Sequence, residues 1–161
     1  MKIESKLYSL AQIVAESPNW HFNIPIYQRL YVWGEDQVLT LLNDLLNAYE
    51  QKNDLFFLGG TLLVEQDGGV GRHFDLIDGQ QRFTTLWLLC SAWQQSLESF
   101  ITVTSGEHTE PRLGFAIRPA VNSFMHGLAF KRAGAGDADV ESTQRMRIAL
   151  RLMQSIFAKR E

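Results

Sequence analysis

The stretch "DLIDGQQRFTTLWLL", residues 75–89, joins an apolar strand to an apolar helix through a short run of polar residues and glycine. Strand-like residues precede it, and from Phe83 onward apolar side chains recur at the spacing of one helix face. We therefore expect a strand over residues 72–77 and a helix over residues 80–97. The polar run between them, residues 78–82, has two explanations.

Helix capping is the first explanation of residues 78–82. With Asp78 as N-cap, its carboxylate accepts hydrogen bonds from the amides of Gln80 or Gln81. Gln81 then occupies the third helical position, from which its side chain reaches back in a capping box. Arg82 follows Asp78 by one helical turn, a spacing at which the two side chains can pair. On this interpretation the run only starts a helix.

A bound ligand is the second explanation. A helix N-terminus favours phosphate, and Gly79 lets a ligand approach the backbone. Arg82 offers a planar set of donors for phosphate oxygens, and Asp78 suits a hydrated Mg²⁺ or a proton from water. Gln80 and Gln81 both donate and accept, which suits a base, a ribose or an attacking water. Capping alone does not require this whole combination, so the composition favours a ligand.

A second polar cluster interrupts the apolar and aromatic segment "IPIYQRLYVW", residues 24–33. It consists of Tyr27, Gln28 and Arg29. The structural alternative is a strand whose Arg29 extends its charged end to solvent while Tyr27, Tyr31 and Trp33 pack in the core.

Composition indicates one compact domain, or a domain with a helical appendage. The chain has 161 residues, of which 45% are hydrophobic and 20% charged. A net charge of -3 gives no basic footprint, so a DNA partner is not supported by net charge. Cys90 is the single cysteine. The N-terminus lacks the apolar region of a signal peptide, and no apolar window is long enough to predict a membrane span. These features predict a cytoplasmic protein without a disulfide.

The order of elements predicts the fold class. In the first part of the chain, periodicity and turn residues indicate a helix at 7–16, an edge strand or extended segment around Pro25 and a helix from residue 34. A strand at 56–66 and a hairpin connection at 67–71 then lead to the strand at 72–77 and the helix at 80–97. Strands at 100–104 and 113–118, a helix from Pro119 and a last helix capped by Asp139 complete the chain. We expect an α+β fold with a C-terminal helical extension. The last helix runs to Glu161 without a stop signal, so we expect a longer protein.

In this order, "IPIYQRLYVW" and "DGQQRFTTL" (residues 78–86) resemble motifs of the N-terminal domain family of GmrSD-type restriction proteins, with a match over about residues 20–95. That family is placed with the ParB/sulfiredoxin-like fold, which implies such a core in residues 1–97 and a mainly helical extension in 98–161. The resemblance implies a domain that binds a nucleoside triphosphate with Mg²⁺, and hydrolyses it slowly, in defence against foreign DNA. It also implies a nuclease domain or subunit as partner.

The resemblance also assigns residues. The implied nucleotide-binding residues are Tyr27, Gln28, Arg29, Gly79, Gln80 and Arg82, joined by Arg118, which lies at a predicted strand-to-helix junction. The implied catalytic residues are Asp78, Gln81 and Arg82, and Asp78 is the implied metal ligand.

The sequence departs from the full family architecture. No His-Asn-His nuclease signature follows the two motifs, and the scattered His21, His73, His108 and His126 lack metal-ligand spacing. No Gly-x-x-x-x-Gly-Lys-Ser/Thr run is present, so a P-loop is excluded as the phosphate site.

Two other functions remain open at this point. A ParB-like fold suggests a DNA-binding or nuclease module. The last helix offers basic residues for such a role, namely Arg145, Arg147, Arg151, Lys159 and Arg160. The alternative is that these residues form an ordinary solvated helix face. A non-catalytic assembly module would instead dock a nuclease through the aromatic residues Trp20, Trp33 and Phe124.

Overall fold

A computed structural model describes residues 3–16, 19–93, 97–132 and 140–159. The elements are α1 (Leu10–Glu16), β1 (Trp20–Ile24), α2 (Glu35–Glu50), β2 (Leu62–Gln66), β3 (Arg72–Asp78), α3 (Gln80–Ala92), α4 (Glu98–Ile101), β4 (Thr102–Ser105), β5 (His108–Pro111), β6 (Leu113–Phe115), α5 (Pro119–Ala129) and α6 (Glu141–Ala158). The predicted α+β class is confirmed, and the ParB/sulfiredoxin-like core stays a prediction. The predicted cap of α6 by Asp139 lies outside the described residues.

The main sheet has the strand order β2-β3-β1-β6. β1 is parallel to both β3 and β6, whereas β2 is antiparallel to β3. The carboxyl ends of β1, β3 and β6 therefore meet at one edge of the sheet, the usual place for ligands in α/β structures. Of the two alternatives for the segment around Pro25, an edge strand or an extended segment, the edge strand is wrong. β1 is internal and ends at Ile24, so the proline follows the hydrogen-bonded ladder and does not interrupt it.

Short strands account for most other differences from the predicted elements. β2 begins at Leu62 rather than at residue 56, next to a register shift at Leu62 and Leu63. The predicted strand at 100–104 is the end of α4 followed by β4. The residues between the two predicted strands contain β5, which pairs with β4 around Gly106, a glycine with a φ of 63°. A strand of a few residues carries too little alternation to be recognised from sequence.

Helix α3 is the centre of the core. Trp87, Leu88 and Cys90 are fully buried, and the Trp87 indole donates to the carbonyl of Ile101 at 3.0 Å. The helix packs against α4 and α6 as well as the sheet, so it is buried on nearly all sides. It ends at Ala92 rather than at the predicted residue 97.

Residues on both sides of the predicted boundary at residue 97 contribute to the sheet, because β6 pairs with β1. Arg112, only 2% exposed, strengthens this link by donating to four backbone carbonyls. The accepting residues are Trp20, Ser99, Phe100 and Thr102. Burial lowers the pKa of Arg112 to about 10. The division into two segments at residue 97 stays a prediction.

The aromatic residues that we expected to dock a partner are not free surface residues. Phe124 is buried in the core and stacks beneath the guanidinium of Arg147, while Trp20 is half-buried between Tyr8 and Phe74. Trp33 is half-buried as well. In the described part of the chain, no helix combines the length and the apolar character that a membrane crossing needs.

Candidate functional site

The first turn of α3 is hydrogen-bonded to the segment between β1 and α2. The Gln81 side chain donates to the carbonyl of Leu30 at 2.9 Å and accepts from the amide of Val32 at 2.9 Å. Both polar atoms of this side chain are therefore used on backbone groups about fifty residues away in sequence. Gln81 does not form the predicted capping box.

Two further hydrogen bonds hold the same segment. The side-chain Nε2 of Gln28 donates to the carbonyl of Ile77 at 3.0 Å, next to the end of β3. The hydroxyls of Tyr31 and Thr85 lie 3.0 Å apart in the interior, and burial raises the pKa of Tyr31 to about 12. The prediction that Tyr31 packs in the core is correct. The Gln81 hydrogen bonds place the motif at residues 24–33 directly against the motif at residues 78–82.

The N-cap of α3 is Gly79, not Asp78 as predicted. Gly79 has a φ of 79°, and a Cβ there would lie 3.0 Å from the carbonyl oxygen of Gly60 and 3.0 Å from Oγ1 of Thr61. Glycine is therefore required by the backbone and by close packing on residues 60–61. Asp78 is the last residue of β3, and its Oδ1 accepts from the Gly79 amide at 2.8 Å. Among the residues that the structure describes, no side chain caps the amides of the first turn of α3.

The two motifs line one cavity of about 260 Å³ at the carboxyl end of β3. Its lining consists of Gln28, Arg29, Trp33 and residues 77–82, and we call it the motif cavity. Of the residues predicted to form the site, the structure brings together Gln28, Arg29, Asp78, Gly79, Gln80, Gln81 and Arg82.

Charge in the motif cavity is unbalanced. Arg29 and Arg82 both line it, and Asp78 is the one carboxylate among its lining residues. Within the described ranges, no ion pair involves any of these three side chains, so the predicted Asp78–Arg82 pair is absent. Two cationic groups without anionic partners favour an anion in this cavity.

A family comparison bears on this geometry. The model of the N-terminal domain of the GmrSD restriction endonuclease matches residues 7–152, a range that contains both motifs. The chain belongs to this family. Family membership makes it a component of a restriction, or phage-defence, system and suggests a nuclease partner. A comparison with curated proteins gave no match.

Two residues predicted for the site lie outside the motif cavity of this GmrSD-type domain. Tyr27 is not among the residues that line the cavity, and at 70% exposure it does not pack in the core either. Arg118 precedes α5 at the same edge of the sheet, but it follows β6, which lies two strands from β3. Strand spacing makes that separation about 10 Å.

Gln80 lines the motif cavity but is only 8% exposed. Its side-chain oxygen is buried and has no hydrogen-bond partner within the described ranges, while its backbone carbonyl accepts from the hydroxyl of Thr84 at 2.8 Å. A buried acceptor without a partner is costly and is common at functional sites.

The residues of the GmrSD-type motif fit a magnesium–phosphate group. Mg²⁺ is usually held by one or two carboxylates together with phosphate oxygens and water, and Asp78 is a suitable single carboxylate. The Asp78 Oδ1 already accepts from a backbone amide, which orients the carboxylate. No group of three or more His, Cys, Asp and Glu residues that could hold a metal ion occurs in the described ranges.

A second cavity, of about 420 Å³, was not predicted from the sequence. It lies between α2 and residues 56–58, shares Trp33 and Arg82 with the motif cavity, and is called the α2 cavity here. Its α2 lining residues are Asp36, Gln37, Thr40, Leu41 and Asp44, one stripe along the helix. The available signal was this polar stripe together with the exposed Phe56 and Phe57, whose proximity depends on tertiary structure.

Proposed function

We propose that this GmrSD-type domain binds a nucleoside triphosphate with Mg²⁺ in the motif cavity and hydrolyses it slowly. One observation carries the proposal. Two distant motifs place Arg29 and Arg82 in one cavity with a single carboxylate, and neither arginine has an ion-pair partner among the described residues.

The phosphates bind to the cationic part of this cavity. Arg82 and Arg29 donate to phosphate oxygens from opposite motifs, and the uncapped first-turn amides of α3 add further donors. The left-handed backbone at Gly79 directs the chain from β3 into α3, so these amides lie at the strand end. The site holds the triphosphate without a P-loop.

Hydrolysis needs positioning and charge stabilisation rather than covalent chemistry by the protein. Bound Mg²⁺ supplies charge neutralisation on the phosphates, and Asp78 is the residue that would hold it. Arg82 stabilises the charge that develops on the transferred phosphoryl group. Gln81 acts as a positioning residue, because both of its polar atoms already hold the backbone of residues 30–32.

Nucleotide binding is tested by isothermal titration of the whole chain with GTP and ATP in the presence of Mg²⁺. We expect Arg82→Ala and Arg29→Ala each to weaken binding by about tenfold or more, because each removes a charge-assisted hydrogen bond. Arg151→Ala, an exposed arginine on α6, is the matched control and should bind as the wild type does. Equal affinity in the wild type, Arg82→Ala and Arg29→Ala would exclude this site.

Turnover is tested separately by phosphate release. We expect slow release by the wild type and almost none by Asp78→Asn, with nucleotide binding reduced but measurable in the variant. Binding without release by the wild type would overturn the hydrolysis step and leave a nucleotide-sensing module. In either case, the role we propose is to regulate the nuclease partner by nucleotide occupancy.

A further inference from the structure

We propose that the α2 cavity holds the base of the nucleotide and selects bases that present N–H donors, guanine above all. This inference rests on the proposed nucleotide site, which it extends from the phosphates to the base. The two cavities adjoin at Trp33 and Arg82, which line both. Together they form a cleft whose two ends differ in charge and in chemistry.

The charge distribution orients a nucleotide in this cleft. The motif cavity is lined by Arg29, Arg82 and a single carboxylate, so its end attracts phosphates. The α2 cavity is lined by the carboxylates of Asp36 and Asp44, with Arg82 as its one cationic lining residue. An anionic phosphate chain is repelled from this acidic end, whereas a neutral base is not.

The apolar lining of the α2 cavity suits a flat heterocycle. Phe56 is 40% exposed and Phe57 is 67% exposed, although both are large aromatic side chains. Trp33 lines the cavity beside them and is half-buried. Aromatic side chains stack on bases of any kind, so these residues supply affinity without selecting a base.

Selection comes from the polar stripe of α2. The Gln37 side-chain oxygen accepts from the Gly34 amide at 2.9 Å, and the Thr40 hydroxyl donates to the carbonyl of Asp36 at 2.8 Å. The described structure records no side-chain hydrogen bond or ion pair for the carboxylates of Asp36 and Asp44. A carboxylate only accepts hydrogen bonds, so it favours guanine, with its ring N–H and 2-amino group, over uracil, whose two carbonyls would face it.

The first experiment separates the base from the phosphates. Thr40→Trp adds bulk to the α2 cavity without touching the motif cavity, and Asn47→Trp, on the exposed part of the same helix, is its matched control. Binding of GTP and of inorganic tripolyphosphate is measured with Mg²⁺ for both variants and the wild type. We expect Thr40→Trp to bind GTP about tenfold more weakly than the wild type, a loss comparable to that of one base–aromatic stacking contact. Its affinity for tripolyphosphate should stay unchanged.

The second experiment tests selection. The wild type should bind GTP more tightly than ITP, which lacks the 2-amino group, and more tightly than UTP. Asp44→Asn should reduce these preferences, because the amide replaces one acceptor oxygen by a donor. Asp44 is in the middle of α2, away from the helix N-terminus, so the change leaves the helix dipole contacts intact. Asp54→Asn, an exposed carboxylate outside both cavities, is the control and should keep the preference for GTP.

The outcomes distinguish this inference from the proposed function. If the wild type binds neither GTP nor tripolyphosphate, the proposed nucleotide site is overturned, and the proposed base site is overturned with it. If GTP binds and Arg82→Ala weakens it, but Thr40→Trp binds GTP as the wild type does, the base lies elsewhere and only this inference is overturned. Equal affinity for GTP, ITP and UTP overturns the selection by Asp44.

Discussion

The guanidinium of Arg82 lies against the α-carbon of Gly59. A Cβ added at Gly59 would overlap Nη1 of Arg82 and would lie 2.8 Å from its Cζ. Gly59 also has a φ of 113°, a conformation that other residues rarely adopt. The position of the arginine shared by both cavities therefore depends on a glycine in the segment before β2.

We expect Gly59→Ala to displace Arg82 and to strain the backbone, at a cost of about 1–3 kcal/mol in the free energy of unfolding. Nucleotide affinity should fall as well, because the guanidinium leaves its place between the cavities. Urea denaturation and GTP titration measure the two effects. Gly60→Ala is the matched control, since a Cβ at Gly60 meets nothing within 4 Å and should change neither quantity. Unchanged binding by Gly59→Ala would contradict the dependence of Arg82 on this glycine.

The hydrogen bonds of Gln81 give a second prediction. Gln81→Glu keeps the acceptor for the Val32 amide but loses the donor to the Leu30 carbonyl, so a carboxylate faces that oxygen. We expect a loss of about 1–3 kcal/mol in unfolding free energy, together with faster amide exchange in residues 30–32. Gln66→Glu, on the exposed side of β2, is the control for the added charge. A stability equal to that of the wild type would show that the contact contributes nothing.

The third prediction concerns pH. His21 lies 2.8 Å from Glu110 and stacks on His73 across β1 and β3. Burial lowers the pKa of His21 below 6.5, and His73 adds to this, while Glu110 opposes it. The unfolded chain therefore binds more protons just below 6.5, and stability falls as the pH drops through that value toward the lower folded pKa.

Denaturation between about pH 7.5 and about pH 5.5 measures this slope. His21→Asn removes the titrating group and should flatten the decline over this window. His108→Asn, at an exposed position on β5, should keep the slope of the wild type. An identical slope in His21→Asn and the wild type would assign the decline to other groups.

Arg112 gives the fourth prediction. Arg112→Met fills similar space but leaves the carbonyls of Trp20, Ser99, Phe100 and Thr102 without their donor. We expect a loss of about 3 kcal/mol or more, since several buried acceptors lose their partner together. Arg151→Met, on the exposed face of α6, should stay within about 0.5 kcal/mol of the wild type. Urea denaturation of both variants decides the matter.

Sequence patterns predicted the long elements well and the local start of α3 less well. The apolar spacing of α2 and the turn at residues 67–71 depend on neighbours in sequence, and both are present as predicted. The N-cap was misassigned by one residue because Gly79 takes a left-handed backbone. Gln81 was assigned to a local capping box, whereas a segment remote in sequence supplies its partners.

In the candidate site, too, local sequence patterns were recognised and contacts between remote segments were not. Gln28 and Arg29 were singled out by composition and do line one cavity with residues 78–82. Arg118 looked equivalent because it follows a strand, but the strand order separates it from β3. The α2 cavity depends on the approach of residues 56–58 to a helix face, and no local pattern encodes such an approach.

The burial of Cys90 has a practical consequence for measuring these effects. Burial raises the pKa of its thiol to about 12, so in the folded protein it is inert toward maleimide and iodoacetamide reagents. It is also the only cysteine in the chain. A cysteine introduced at the exposed Tyr27, next to Gln28 of the motif cavity, would therefore take a fluorescent label alone. The native sequence already permits a single-site optical reporter beside the cleft, with no background mutation in α3.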